Sequence, residues 1–87
     1  MGGKDNMENY KKAQEQGFND LKAILEEKGI TESLQRYIKR LEDVFAFYVV
    51  MDLNWPLILN QIRSKNNGDL ESYLKSITLL VESYDED

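Results

Sequence analysis

Neither cysteine nor histidine occurs anywhere in these 87 residues, and proline occurs once. Without cysteine there is no disulfide staple and no thiolate metal or iron–sulfur site; without histidine there is no imidazole ligand and the commonest general base is missing. A chain this small buries only about 60% of the surface its unfolded form exposes, so apolar packing, within the chain or across an interface, must hold it together. Long hydrophobic runs are also missing. The longest is Val44 to Met51, eight residues, against the roughly 20 that a membrane-spanning helix needs. The N-terminal stretch places Lys4, Asp5, Asn6 and Glu8 with no apolar segment behind them, which does not read as a secretory signal. Met-Gly-Gly at the start lacks the Ser or Thr that a myristoylation signal needs, since that position holds Asn6. Basic residues are outnumbered, eleven against sixteen acidic ones, for a net charge of −5. That balance disfavours nonspecific binding to nucleic acid or to an anionic membrane. Together these absences lead us to expect a soluble, cytoplasmic protein.

What is present is a folding composition: 41% hydrophobic and 31% charged residues, with one tryptophan, five tyrosines and three phenylalanines. The length suits one domain, 1–87, and no internal repeat or low-complexity tract divides it. Residues 1–7 read as a disordered leader, with Met7 a second candidate start, and residues 85–87 as a frayed acidic tail.

Hydrophobic periodicity orders the rest. Met7, Tyr10, Phe18, Leu21, Ile24 and Leu25 form one helical stripe from about Glu8 to Lys28, weakened at Gln14 and Gly17. Lys28-Gly29 reads as a helix end, and Thr31 as the cap of the next helix. The second stripe runs Leu34, Tyr37, Ile38, Leu41, Val44, Phe45, Tyr48 and Met51, and its second half is apolar nearly all round because Ala46, Phe47, Val49, Val50 and Leu53 fill the remaining positions. Asn54-Trp55-Pro56 is expected to end it and to open a short third helix carrying Leu57, Ile58, Leu59 and Ile62. Asn66-Asn67-Gly68 reads as a turn, after which Asp69 caps a fourth helix with Leu70, Tyr73, Leu74, Ile77, Leu80, Val81 and Tyr84 in register. A strand through Val44 to Met51 is the competing reading, but a lone strand has nothing to pair with. The expected fold is all-α: a small antiparallel helical bundle of about four helices, two longer and two shorter. Leu41, Phe45, Leu74 and Ile77, at the middles of the two most regular stripes, are the expected core.

The search for chemistry is brief. Glu26-Glu27 and Glu42-Asp43 are adjacent on helices and so point about 100° apart, the arrangement of solvated faces and not of a catalytic dyad. Asn66-Asn67-Gly68-Asp69 lacks the spacing and distal glutamate of a calcium loop. Arg36, Lys39 and Arg40, with Arg63 and Lys65, form a potential basic patch, but acidic residues interleave with them. The fourth helix opens Asp69-Leu70-Glu71, without the donors a DNA-recognition helix presents to base edges. No catalytic residue, cofactor site or metal site is expected.

The unexplained excess is apolar. Phe47, Val50, Leu53 and Trp55 lie beyond what one packed stripe uses. Either the third helix folds back over them and they are core, or they anchor a surface that docks a protein partner or a second copy. The size and helical layout are similar to those of bacteriocin immunity proteins, a likeness of architecture with no residue matched. The expectation is a non-catalytic protein-binding module, meaning a small accessory subunit, inhibitor or regulator. An immunity-type or membrane-surface bundle is the first alternative and a nucleic-acid-binding regulator the second.

Overall fold

The computed structural model describes the backbone of residues 3–84 and the side chains of residues 8–84. Four helices run in order: α1 Gly3–Lys28, α2 Glu32–Phe47, α3 Trp55–Ser64 and α4 Asn67–Ser83. Among the described residues there is no strand, so the chain is a small all-α bundle. The helices hold 26, 16, 10 and 17 residues in chain order. The molecule measures 43 × 25 × 16 Å, and α1 alone, at about 1.5 Å per residue, accounts for most of the long dimension.

Local signals set three of the boundaries as expected. Gly29 adopts a positive φ of 96°, the left-handed conformation that glycine enters without steric cost after a helix. Thr31 caps α2, its hydroxyl accepting from Leu34 N at 3.2 Å, and Asn54 caps α3 by accepting from Leu57 N at 3.1 Å. Pro56 sits in the first turn of α3, where no backbone donor is required.

Three boundaries differ from expectation. First, α1 begins at Gly3, not near Glu8. Second, α4 begins at Asn67 with Asn66 as its cap residue. The link from α3 is thus only Lys65-Asn66, Gly68 lies inside the first turn, and Asp69 faces the helix dipole from that turn without capping it. Third, and most consequential, α2 stops at Phe47. Tyr48 is already extended, at φ −127° and ψ 146°, and residues 48–54 form the connection to α3. The expected tail at 85–87 lies outside the described residues.

Directions follow from paired contacts. Lys22 meets Glu42 and Phe18 meets Phe45, so α1 and α2 run antiparallel. Gly17 faces Trp55, and eleven residues later Lys28 reaches Lys65, so α3 runs alongside α1 in the same direction. Arg40 pairs with Glu82 and Ser33 shares a groove with Glu71, so α4 runs alongside α2. Successive helices therefore alternate in direction, as an up-and-down bundle requires, but the closest packing is between alternate ones, α1 on α3 and α2 on α4.

The core draws on every helix: Leu21 and Leu25 of α1, Leu34 and Leu41 of α2, Ile62 of α3, and Leu70, Leu74 and Val81 of α4 have essentially no exposed surface. Of the expected core residues, Leu41, Leu74 and Ile77 are buried, while Phe45 is half-buried at the edge. Leu80, placed on the α4 stripe by periodicity, is exposed, and Thr78 is buried instead, its hydroxyl donating to Leu74 O at 2.7 Å. That bond lets a polar residue occupy a core position without an unmet donor.

Candidate functional site

The apolar excess around the end of α2 is resolved by one buried amide. Gln14, 3% exposed on α1, donates from Nε2 to Tyr48 O at 2.8 Å and, at 3.5 Å, to Phe45 O. Its Oε1 accepts from Val50 N at 2.8 Å. Donor and acceptor on one planar amide, engaging residues two apart on an extended segment, reproduce what a neighbouring strand would offer. The β-branched pair Val49-Val50 favours extended backbone. The strand tendency weighed in the sequence is thus expressed over a few residues, with a side chain from α1 as its partner. Helix α2 makes its last ladder bond from Tyr48 N to Val44 O; beyond it Gln14 meets the Phe45 carbonyl and the Val50 amide, the groups that would continue the i to i−4 ladder.

Beside this clamp, Phe18, Phe45 and Trp55 form an edge-to-face series from α1 through α2 to α3, with centroids 5.3 and 5.7 Å apart. Such pairs add about 0.5–1.5 kcal/mol each beyond the area they bury. Gly17 lets the Trp55 ring lie against the α1 backbone: a Cβ there would come within 2.6 Å of Cε3 of the indole. Both positions that weaken the α1 stripe therefore have a use, Gln14 to hold the loop and Gly17 to admit the ring.

These contacts separate the four expected surface residues. Val50 is buried at 5% exposure, and Leu53 and Trp55 are partly buried against the core. Val50 is thus part of the core, while Leu53 and Trp55 pack against it and keep part of their surface open. Phe47 is different: it is 83% exposed. It lines a shallow depression with Asp43, Val44 and Tyr48. Around the loop, Tyr10 and Met51 are also about half exposed and flank a cleft of about 440 Å³ floored by Val50, Leu53 and Trp55. Tyr84, just past α4, donates its hydroxyl to Asp52 Oδ2 at 2.9 Å and ties this loop to the end of the bundle. That bond, with smaller contributions from burial and from the Asp52 charge, holds the Tyr84 phenol above its ordinary titration range.

The basic residues do not gather into one patch. Arg36 and Arg40 line a groove of about 360 Å³ between α2 and α4 with Lys75, but Glu71 and Glu82 share it and Arg40 pairs with Glu82 at 3.4 Å. Arg63 and Lys65 lie apart at the end of α3, where the Lys65 ammonium sits 5.3 Å over the Tyr73 ring. Among the described residues no group of three or more acidic side chains is placed to hold a metal ion, and no helix is long and apolar enough to cross a membrane.

The chain matches no protein-family model, no curated protein and no solved structure.

Proposed function

We propose that this chain is a non-catalytic protein-binding module, an accessory subunit, inhibitor or regulator, that docks through the exposed end of α2. The observation that carries the reading is Phe47, left 83% exposed at the end of α2, with Tyr48 and Met51 near it in sequence also exposed while Val50 is buried. An aromatic side chain held on a helix end, with Val44 and Tyr48 beside it, is the kind of residue that dominates binding energy when a partner covers it. The sequence has no histidine, the commonest general base, and no cysteine nucleophile. A cytoplasmic location belongs to the same reading, supported by the lack of cysteine.

The test is Phe47→Asp. Because the residue is exposed, the variant is expected to keep its helical circular dichroism, to stay within about 1 kcal/mol of the parent in urea, and to lose the partner or dimer that the parent forms. If it keeps its oligomeric state and every protein that co-purifies with the parent, the docking surface lies elsewhere.

A further inference from the structure

Resting on that reading, the charge around Phe47 specifies what can cover it, and we infer that the partner is a cationic apolar segment, with Lys or Arg next to the side chain that seats on Phe47. Both α2 and α4 end on this side of the molecule, as the Arg40–Glu82 pair and the Tyr84–Asp52 bond show. Neither has a basic residue in its last turn, so the negative ends of both dipoles lack an internal counter-charge. Asp43 lies in the same depression as Phe47, one helical turn back, without an ion pair. Asp52 lies on the adjoining loop.

Among the described residues, Lys39, one turn before Asp43, lines a separate depression with Glu32 and makes no ion pair with Asp43. Arg40, two turns back on α2, is engaged by Glu82, and Lys11 lies in a separate cleft that also holds Glu15 and Glu42. Helix α3, which starts beside this loop, has its positive end capped by Asn54. A second copy of the chain would bring like charge against like charge in a molecule of net charge −5. A lysine or arginine beside the apolar contact instead gains Asp43 and the α2 C-terminal carbonyls together.

A random peptide library displayed on phage and selected against the intact chain tests this, with the chain carrying Phe47→Ser as counter-target to remove binders held by charge alone. The expected winners combine an aromatic or aliphatic residue with neighbouring Lys or Arg. As synthetic peptides they should weaken about tenfold or more on Phe47→Ser and about threefold on Asp43→Asn, and should weaken further as salt rises. Winners that need Phe47 but carry no cationic bias, or that bind Asp43→Asn as well as the parent, overturn the inference while leaving the docking site standing. A dimer seen by sedimentation that dissociates on Phe47→Ser overturns it too, since the occupant is then a second copy. If no Phe47-dependent peptide emerges, both the inference and the docking site fail.

Discussion

Replacing Gln14 by leucine keeps the side chain's volume and removes both of its hydrogen-bonding functions. The Val50 amide, buried at 5% exposure, then loses its acceptor at 2.8 Å, and the Tyr48 carbonyl loses its donor at 2.8 Å. Leaving a buried backbone group unmet costs about 1–3 kcal/mol, less for a carbonyl that water can reach. The added apolar burial of leucine returns about 1 kcal/mol. The net expectation is a loss of about 1–3 kcal/mol, out of a total of about 4–13 kcal/mol for a domain this size. Gln14→Glu sharpens the test through pH. At neutral pH a carboxylate would face the Tyr48 and Phe45 carbonyls, so its folded pKa must rise above the unfolded value of about 4.3. A raised folded value means stability is present below the unfolded pKa and is lost as pH rises through the folded one. The glutamate variant should therefore be weakest near neutrality and approach the parent as pH falls below about 4, where a protonated carboxyl can donate to Tyr48 O. Urea melts at several pH values give the energies, and amide exchange at Val50 gives the local signature, since its protection should fall in the leucine variant more than the global midpoint implies. An unchanged midpoint with Val50 still protected in Gln14→Leu would refute the clamp.

Four further outcomes are expected. Leu74→Ala, at a fully buried site on α4, should lower stability by about 2–5 kcal/mol in urea melts. Gly17→Ala gains up to about 1 kcal/mol of helix propensity but forces the Trp55 ring off α1 at about 1–3 kcal/mol; a net loss should appear with a shifted emission from the single tryptophan. Phe47→Asp should lower stability by no more than about 1 kcal/mol, the cost of a carboxylate at the α2 C-terminus one turn from Asp43, and leave the fold intact. Tyr84→Phe should remove one late-titrating phenol from the tyrosinate absorbance curve; in the parent, the stability this bond contributes is present below about pH 10 and lost as pH rises through the higher folded value.

The parts of the fold legible in sequence are those decided within a few residues. Gly29, Thr31 and Asn54 act through the backbone next to them, and the burial of Leu41 and Leu74 follows from three-and-four spacing that any packed helix imposes. The end of α2 is decided otherwise. Its apolar positions continue in helical register to Leu53, and the residue that takes up its next ladder groups, Gln14, lies 36 positions before Val50. In sequence Gln14 is only a polar interruption, because the value of its amide depends on a loop that no local pattern brings near. The candidate site was half legible for the same reason. Phe47, Val50, Leu53 and Trp55 stand out together as apolar excess, yet which of them faces water depends on where the helix stops. Ending it at Phe47 sends Val50 inward and leaves Phe47 on the final turn.

The close pairing of alternate helices bears on how the chain reaches this state. Gly17 meets Trp55, Lys28 meets Lys65 and Arg40 meets Glu82, so the principal contacts join segments separated by a whole intervening helix. A helical hairpin from either half of the chain would hold few of them. Closing such long loops comes before any reward from packing, which slows folding relative to bundles built from sequence-adjacent pairs. It also leaves no fragment with a core of its own: cut in the 48–54 loop, neither piece should hold its helices, and the two should regain structure only when mixed. The same interlock makes unfolding a single event, because opening any one helix strips the contacts of another two places along the chain.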